Sequence, residues 1–212
     1  LFPVLCFKWF KRRKQARGFG IHSPFAYNFV THIINEEYGY TAFLDIDQLL
    51  RAHNIETSDK KLHHLSYKLV RYFKPGRVLE LDTGKGINTL YLSAASKDAV
   101  CHCFDPEGKN VLLARNLHTT YNRHVEFIDE IDLSELYDGI FVYLNSFPVD
   151  MESLLSMSSD DTFWVIAGIK SGNGKRFWKA VVADERARIT FDMKDIGVVV
   201  LKKSYHKASY LI

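Results

Sequence analysis

The amino-acid sequence predicts an α/β fold with a doubly wound, mostly parallel sheet. Short apolar runs alternate along the chain with segments of helical periodicity, and this alternation implies right-handed crossovers between parallel strands. A turn that contains two glycines separates the first apolar run from the helix after it. The predicted parallel strands cover residues 77–81, 99–104, 124–128, 139–144 and 162–166.

The part of the chain before these strands is predicted to be helical. Residues 1–58 would form an N-terminal helical extension, and residues 59–212 the sheet domain. Ser23 and Pro24 are typical of a helix start, because a serine hydroxyl caps the first turn and proline is tolerated at the first helical position. An amphipathic helix over 59–73 then leads into the first strand.

The turn after the first strand has the composition of a ligand-binding loop. Gly84 and Gly86 lie between strand 77–81 and a helix predicted over 88–96. Glycine permits positive φ and close approach of a ligand, and a helix start offers unpaired N–H groups. The same glycines could simply tighten a strand-to-helix connection, because one Gly-Xaa-Gly pair is a weak signal.

An acid follows the second predicted strand. Asp105 comes about 20 residues after the turn, where nucleotide-binding folds place a carboxylate that accepts hydrogen bonds from the ribose hydroxyls. Asp105 could also cap a helix, because Pro106 and Glu107 complete a helix-start pattern. The dinucleotide fingerprint would need a third glycine where Thr89 stands, so a nicotinamide nucleotide is the less favoured ligand.

These positions resemble the first motif of class I methyltransferases, which use S-adenosylmethionine (SAM). The matching residues are Glu80, Gly84, Gly86 and Asp105. Segments 18–25, 86–92, 191–193 and 197–200 are similar to an O-methyltransferase family with an N-terminal His-Ser-Pro-Phe segment. The resemblance covers most of the chain. It implies a Rossmann-like class I methyltransferase fold, in which a predicted hairpin of strands 189–193 and 197–202 supplies a C-terminal antiparallel strand.

Two departures from the family pattern bear on activity. Asp82 stands where the family usually has glycine, which places a charge and a Cβ where the methionine part of the cofactor would lie. Metal-dependent members carry acids after the fourth and fifth strands, because a divalent cation needs oxygen ligands. Here those strands are followed by Asn145 and Gly168, so we expect no metal site.

Without a metal, methyl transfer would depend on proximity, in-line orientation and a general base. The candidate bases are His22 and Tyr143. For His22 the favoured interpretation is structural, since it precedes the predicted helix cap at Ser23.

The cofactor is expected at the carboxyl ends of the strands, where open sheets of this kind bind ligands. The resemblance implies that Asp129 or Glu130, after the third strand, lies near the adenine, although both could be plain loop acids. The full predicted cofactor-binding set is Glu80, Asp82, Gly84, Gly86, Asp105, Asp129, Glu130 and Asn145.

The leading functional hypothesis is SAM-dependent methyl transfer to a small-molecule oxygen or nitrogen without a metal. A hypothesis of a different class is a catalytically silent relative that acts as a binding or interaction module, which Asp82 and the absent metal acids favour. Two further alternatives are a nicotinamide-nucleotide-binding protein and an RNA methyltransferase.

Composition agrees with one domain in a reducing compartment. The chain has 212 residues, 47% of them hydrophobic, enough to bury one large core. Three cysteines without a paired framework, and no signal-peptide pattern, predict a cytoplasmic protein. We expect Cys101 and Cys103 to be buried free thiols. The neighbouring His63 and His64 diverge by about 100° on a helix, and we expect them at the surface or its boundary.

The charge is uneven along the chain. Six basic residues lie near the N-terminus, and without them 22 of the 28 Lys and Arg remain against 25 acids, a net charge of −3. Flanking aromatic residues make nucleic acid or an anionic membrane a conceivable partner, but a solvated helix face or a homo-oligomer contact is favoured. The six residues are Lys8, Lys11, Arg12, Arg13, Lys14 and Arg17.

Overall fold

Eight strands form one sheet in the computed structural model, which describes residues 2–57, 59–119, 124–144 and 148–212, with side chains of the first helix from residue 7 onward. The strands are β1 Arg77–Leu81, β2 Val100–Phe104, β3 Val125–Ile128, β4 Tyr137–Tyr143, β5 Ser158–Ala167, β6 Ile189–Met193, β7 Ile196–Val200 and β8 Ala208–Leu211. Their order across the sheet is β3-β2-β1-β4-β5-β7-β6-β8.

Among these strands, β7 alone runs against its neighbours, pairing antiparallel with both β5 and β6. The predicted fold class, a mostly parallel sheet with a C-terminal antiparallel strand, is therefore confirmed. Two features were not predicted. The first is β8, a four-residue strand parallel to β6 that is too short to show a period. The second is the start of β5 at Ser158, which was missed because the first half of this strand is polar and gives no apolar signal.

Helices flank the sheet. They are α1 Phe2–Gln15, α2 Pro24–Asn28, a π-helix Phe29–Ile34, α3 Thr41–Ala52, α4 Lys60–Phe73, α5 Ile87–Ala95, α6 Val111–Thr119, α7 Met151–Ser156 and α8 Gly172–Ala183. Successive strand residues point to opposite faces, so Val78 belongs to the core under α2, the π-helix and α4, whereas Leu79 belongs to the core under α8. Cys101 and Cys103 are buried and free, as expected.

The N-terminal residues pack into the same core as the strands. Ser23 Oγ accepts a hydrogen bond of 3.2 Å from Ala26 N, so the predicted helix cap is confirmed. Ala26, Phe29 and Val30 are fully buried in the core cluster that contains β6 and β7 residues. The boundary between residues 58 and 59 stays a prediction, since this core is continuous on both sides of it.

The topology brings the carboxyl ends of β3, β2, β1 and β4 side by side at one edge of the sheet. This edge, which we call the carboxyl edge, holds the glycine turn after β1. Among the residues that the structure describes, no helix is long and apolar enough to cross a bilayer.

Candidate functional site

The turn between β1 and α5 has an unusual backbone. Asp82, Gly84 and Gly86 all have positive φ, at 68°, 54° and 73°. The backbone N–H groups of Asp82 and Thr83 both donate to the Phe104 carbonyl, at 2.8 and 3.1 Å. The turn is therefore tied to the end of β2, directly before Asp105.

The two glycines serve different purposes. A Cβ on Gly86 would lie 2.9 Å from Ala114 Cβ, so this glycine lets α6 pack against the start of α5. A Cβ on Gly84 would meet no atom within 4 Å. Gly86 thus fits the packing interpretation of the sequence pattern, while Gly84 leaves the backbone open to a ligand.

Glu80 is a fully buried acid at the end of β1. Its carboxylate accepts hydrogen bonds from Asn88 Nδ2 at 3.0 Å, Thr89 Oγ1 at 2.5 Å and Tyr143 OH at 2.9 Å. Burial raises the pKa of the carboxyl group, and the three donors oppose that shift. Because its oxygens are occupied by protein groups, Glu80 supports the turn and is not a free ligand-facing acid.

Asp105 lies immediately after β2. Its Oδ1 accepts a hydrogen bond of 3.1 Å from Glu107 N, and its Oδ2 is buried with no hydrogen-bond partner among the described residues. The alternative interpretation, that Asp105 caps a helix, is wrong. The next helix, α6, begins at Val111, and Asp105 caps a turn that Gly108 continues at positive φ. Asp105 therefore retains one unused acceptor at the carboxyl edge.

A cavity of about 210 Å³ adjoins the turn, and Asp82 and Asn88 are among its lining residues. Among the described residues, Glu56, Asp59 and Lys85 are further charged side chains that line it. With three carboxylates against one ammonium, the cavity favours cationic groups. Asn88 is 3% exposed. Its amide nitrogen donates to Glu80, whereas its Oδ1 has no partner among the described residues.

His63 also lines this cavity, contrary to the expectation of a surface or boundary position. It is only 6% exposed because α4 packs on α5, where the His63 ring stacks on Tyr91 at 5.3 Å. Burial lowers the pKa of His63 to about 4, and Asp59 opposes the shift. The sequence could have predicted this position. A helix that leads directly into β1 runs back along the sheet and begins at its carboxyl edge, and His63 lies in the first turn of α4.

Neither candidate base, Tyr143 or His22, is an unprotonated group beside the cavity at the turn. Burial, followed by the charge of Glu80, raises the pKa of Tyr143 well above its usual value, so its hydroxyl stays protonated and donates to Glu80. His22 is exposed and lines a different cavity with Tyr210 of β8. β8 lies five strands from β1, which is about 24 Å across the sheet.

The remaining predicted residues lie at the carboxyl edge or outside the description. Asp129 and Glu130 are exposed and follow β3, the strand beyond β2. Asn145 lies outside the described residues. Over the described ranges, no group of three or more His, Cys, Asp or Glu is arranged to hold a metal; the expected absence of a metal stays a prediction.

The fold is shared with solved methyltransferases. No protein-family model and no curated protein matches this sequence. The SAH-bound Podospora anserina methyltransferase PaMTH1 matches with a TM-score of 0.60 and 14% identity, covering 86% of this chain and 97% of that chain. A methyltransferase from Geobacter sulfurreducens matches with a TM-score of 0.57 and 18% identity, covering 78% and 90%.

A third solved structure is the Bacillus cereus O-methyltransferase in complex with SAH. It matches with a TM-score of 0.54 and 17% identity, covering 82% of this chain and 95% of that chain. At identities this low the likeness concerns the fold. The sheet described above is therefore the class I methyltransferase fold, extended at one edge by β8.

Proposed function

We propose that this chain is a SAM-dependent methyltransferase that acts on a small-molecule oxygen or nitrogen without a metal. The observation that carries the proposal is Asp105 Oδ2 at the end of β2, a buried acceptor with no partner among the described residues. The turn that holds Gly84 is hydrogen-bonded to the carbonyl of Phe104, the residue before Asp105. An unpaired buried acceptor costs about 1–3 kcal/mol, a cost that a donor from a ligand removes.

The chain's own residues fit the cofactor's donor groups. Asp105 would accept from the ribose hydroxyls, and the Gly84 backbone would lie against the ligand. Asn88 Oδ1 and Asp82 would face the ammonium of the methionyl end, with Lys85 available for its carboxylate. When bound, SAM supplies an electrophilic methyl group on a sulfonium.

Access to Asp105 requires a small movement. Its Oδ2 is out of contact with solvent, so a ribose hydroxyl reaches it only if the neighbouring turn shifts. Residues 106–109 of that turn are all exposed. A loop adjustment on binding is common in sites of this kind.

The charge of the cavity separates SAM from a dinucleotide. Glu56, Asp59 and Asp82 line the same space as Lys85, counting the lining residues that the structure describes. A pyrophosphate placed there would meet three carboxylates, whereas a sulfonium or ammonium would be attracted. The cavity therefore disfavours the nicotinamide alternative.

His63 is the group best placed to orient a methyl acceptor. With a pKa of about 4 its imidazole is neutral at pH 7. Its Nδ1 lies 3.4 Å from Thr57 Oγ1, which leaves Nε2 as the ring atom that would hydrogen-bond a hydroxyl or amine in the cavity. A group with this pKa is a weak general base at neutral pH. We assign His63 to positioning, and give no proton-transfer role to Tyr143 or His22.

Calorimetric titration with S-adenosylhomocysteine (SAH) tests the proposal. Wild type is expected to bind, and Asp105→Asn should bind about 10- to 100-fold more weakly, because charge-assisted hydrogen bonds contribute about 1.5–3 kcal/mol. Asp98→Asn is the matched control, since exposed Asp98 precedes the opposite end of β2. NADH should not bind.

The outcomes separate the hypotheses. SAH binding together with methyl transfer in an acceptor screen supports the enzyme. SAH binding without transfer to any acceptor supports the catalytically silent relative. Absence of SAH binding overturns the cofactor site itself.

A further inference from the structure

The first helix exposes aromatic side chains on its solvent side. Phe7, Trp9 and Phe10 are 70%, 53% and 52% exposed, and Phe19, just beyond the helix, is 65% exposed. The opposite side of α1 is fixed to the sheet: Gln15 Oε1 accepts from Leu211 N at 2.9 Å. An amphipathic helix normally turns its aromatic residues inward, so packing within the chain does not explain this face.

Basic residues lie on and beside this face, and most of them form no ion pair with the described residues. Arg12 is the exception, since its guanidinium pairs with Asp192 Oδ1 at 2.8 Å and also donates to the Ile212 carbonyl. The other five have no side-chain hydrogen bond or ion pair with any residue that the structure describes. They are Lys8, Lys11, Arg13, Lys14 and Arg17.

A groove joins the two kinds of side chain. It has a volume of about 590 Å³ and lies between the last turns of α1 and the segment that follows. Phe10 and Phe19 supply apolar walls, while Arg13, Lys14 and Arg17 supply the charge. An anionic headgroup attached to a hydrocarbon tail matches such a lining, because it combines a phosphate with apolar surface.

The geometry favours a lipid surface over nucleic acid. Single-stranded nucleic acid is bound by aromatic rings that present a free face to the bases. Here the Trp9 ring is covered by the Arg13 guanidinium, 5.4 Å from the ring centroid, and its edge-to-face contact with Phe10 is 4.9 Å. The Trp9 ring held this way can insert between headgroups, but one of its faces is taken by Arg13 and is not open to a base.

We propose that the outward face of α1, together with Phe19, binds the surface of a membrane that contains anionic phospholipid. The remaining chain has 22 basic and 25 acidic residues, so the excess positive charge is concentrated at α1 and the segment after it, and this side is the one that an anionic surface attracts. This inference does not depend on the proposed methyltransferase activity.

Co-sedimentation with vesicles tests the binding. The protein should sediment with vesicles of phosphatidylcholine mixed with phosphatidylglycerol, and not with phosphatidylcholine alone. Each basic residue near such a surface changes the partition coefficient roughly fivefold. The triple variant R13Q/K14Q/R17Q should therefore bind on the order of 100-fold more weakly, and 1 M salt should release the wild type.

The matched control removes the same charge elsewhere. Lys170, Lys175 and Lys179 are exposed, lie on or beside α8, and have no ion pair within the described part of the chain. The variant K170Q/K175Q/K179Q should bind vesicles within about threefold of wild type, because distant exposed charges are screened. Unfolding midpoints for both triples would confirm that the fold is intact.

Tryptophan fluorescence locates the contact. Trp164 and Trp178 are 0% and 7% exposed, so Trp9 is the exposed member of the chain's three tryptophans. Anionic vesicles should shift the emission to shorter wavelength, and Trp9→Phe should abolish the shift while most vesicle binding remains.

Three results would overturn the proposal. The first is no vesicle binding, or equal loss of binding in the two triple variants. The second is retention of RNA by wild type in preference to anionic vesicles. The third is a stable dimer in light scattering that R13Q/K14Q/R17Q dissociates, with no vesicle binding, which would assign the face to a second copy of the chain.

Discussion

Tyr143, at the end of β4, donates a hydrogen bond of 2.9 Å to Glu80 Oε1, at the end of β1. Asn88 and Thr89, at the start of α5, donate to the same carboxylate. One buried acid therefore connects two neighbouring strands and the helix after the glycine turn. The cavity wall formed by Tyr143 and Asn88 depends on that connection.

Replacing Glu80 tests this connection. Glu80→Leu leaves two buried donors, Asn88 and Thr89, and the half-buried Tyr143 without an acceptor, and should lower the free energy of unfolding by about 3 kcal/mol or more. Glu80→Gln keeps an acceptor and removes the cost of burying a charge, so its effect should stay within about 1 kcal/mol. Urea unfolding of both variants provides the measurement. Equal losses in the two would show that hydrogen bonding to the carboxylate is not what holds the site.

The two turn glycines should separate stability from binding. Gly86→Ala forces a Cβ to within 2.9 Å of Ala114 Cβ at a φ of +73°, and should cost about 2–4 kcal/mol of stability. Gly84→Ala meets open space, so it should cost only about 1 kcal/mol for its positive φ, yet weaken SAH binding at least tenfold. Urea unfolding and calorimetry distinguish these effects. A Gly84→Ala variant with unchanged SAH affinity would rule out the proposed cradle.

The sequence predicted the sheet because apolar runs report buried strands directly. β1 and β6 have the predicted bounds, and the acid after β2 lies where the spacing placed it. His63 and the unused oxygen of Asn88 were missed, since their burial arises only when α4 packs against α5. The start of α6 was missed because Asp105, Pro106 and Glu107 form a turn with the same residue types as a helix start.

Asp82 occupies a backbone conformation that favours glycine, with φ at 68°. Asp82→Gly and Asp82→Ala both remove the side-chain carboxylate, so the two variants differ in the cost of positive φ. The glycine variant should be more stable by about 0.5–1 kcal/mol, after allowing for its greater freedom in the unfolded state. Thermal unfolding of the pair measures this difference. An alanine variant at least as stable as the glycine variant would contradict the left-handed conformation.

His63 should make stability depend on pH. Its pKa is about 4 in the folded protein against an ordinary 6.5, so the unfolded chain binds the proton more tightly. Its contribution is fully present above pH 6.5 and is lost as the pH falls toward 4, with a slope of at most about 1.4 kcal/mol per pH unit. His63→Gln should lose less stability than wild type on acidification over that range.

The comparison isolates His63 from other titrating groups. Glu80 has a raised pKa, which acts with the opposite sign because stability is lost as the pH rises. Both proteins carry Glu80, so its effect cancels in the difference between their unfolding free energies. Parallel curves for wild type and His63→Gln between pH 4 and 6.5 would show that His63 is not buried in its neutral form.

A SAM site at the carboxyl edge should be visible in ligand-dependent thermal unfolding. At about 100 times its dissociation constant, SAH should stabilise the fold by roughly 2.7 kcal/mol. For a chain of this size that corresponds to a rise in the unfolding midpoint of about 5–10 °C. We expect this rise with SAH, a much smaller one in Asp105→Asn, and none with NADH. An unchanged midpoint at millimolar SAH, or a rise with NADH alone, would contradict the proposed SAM site.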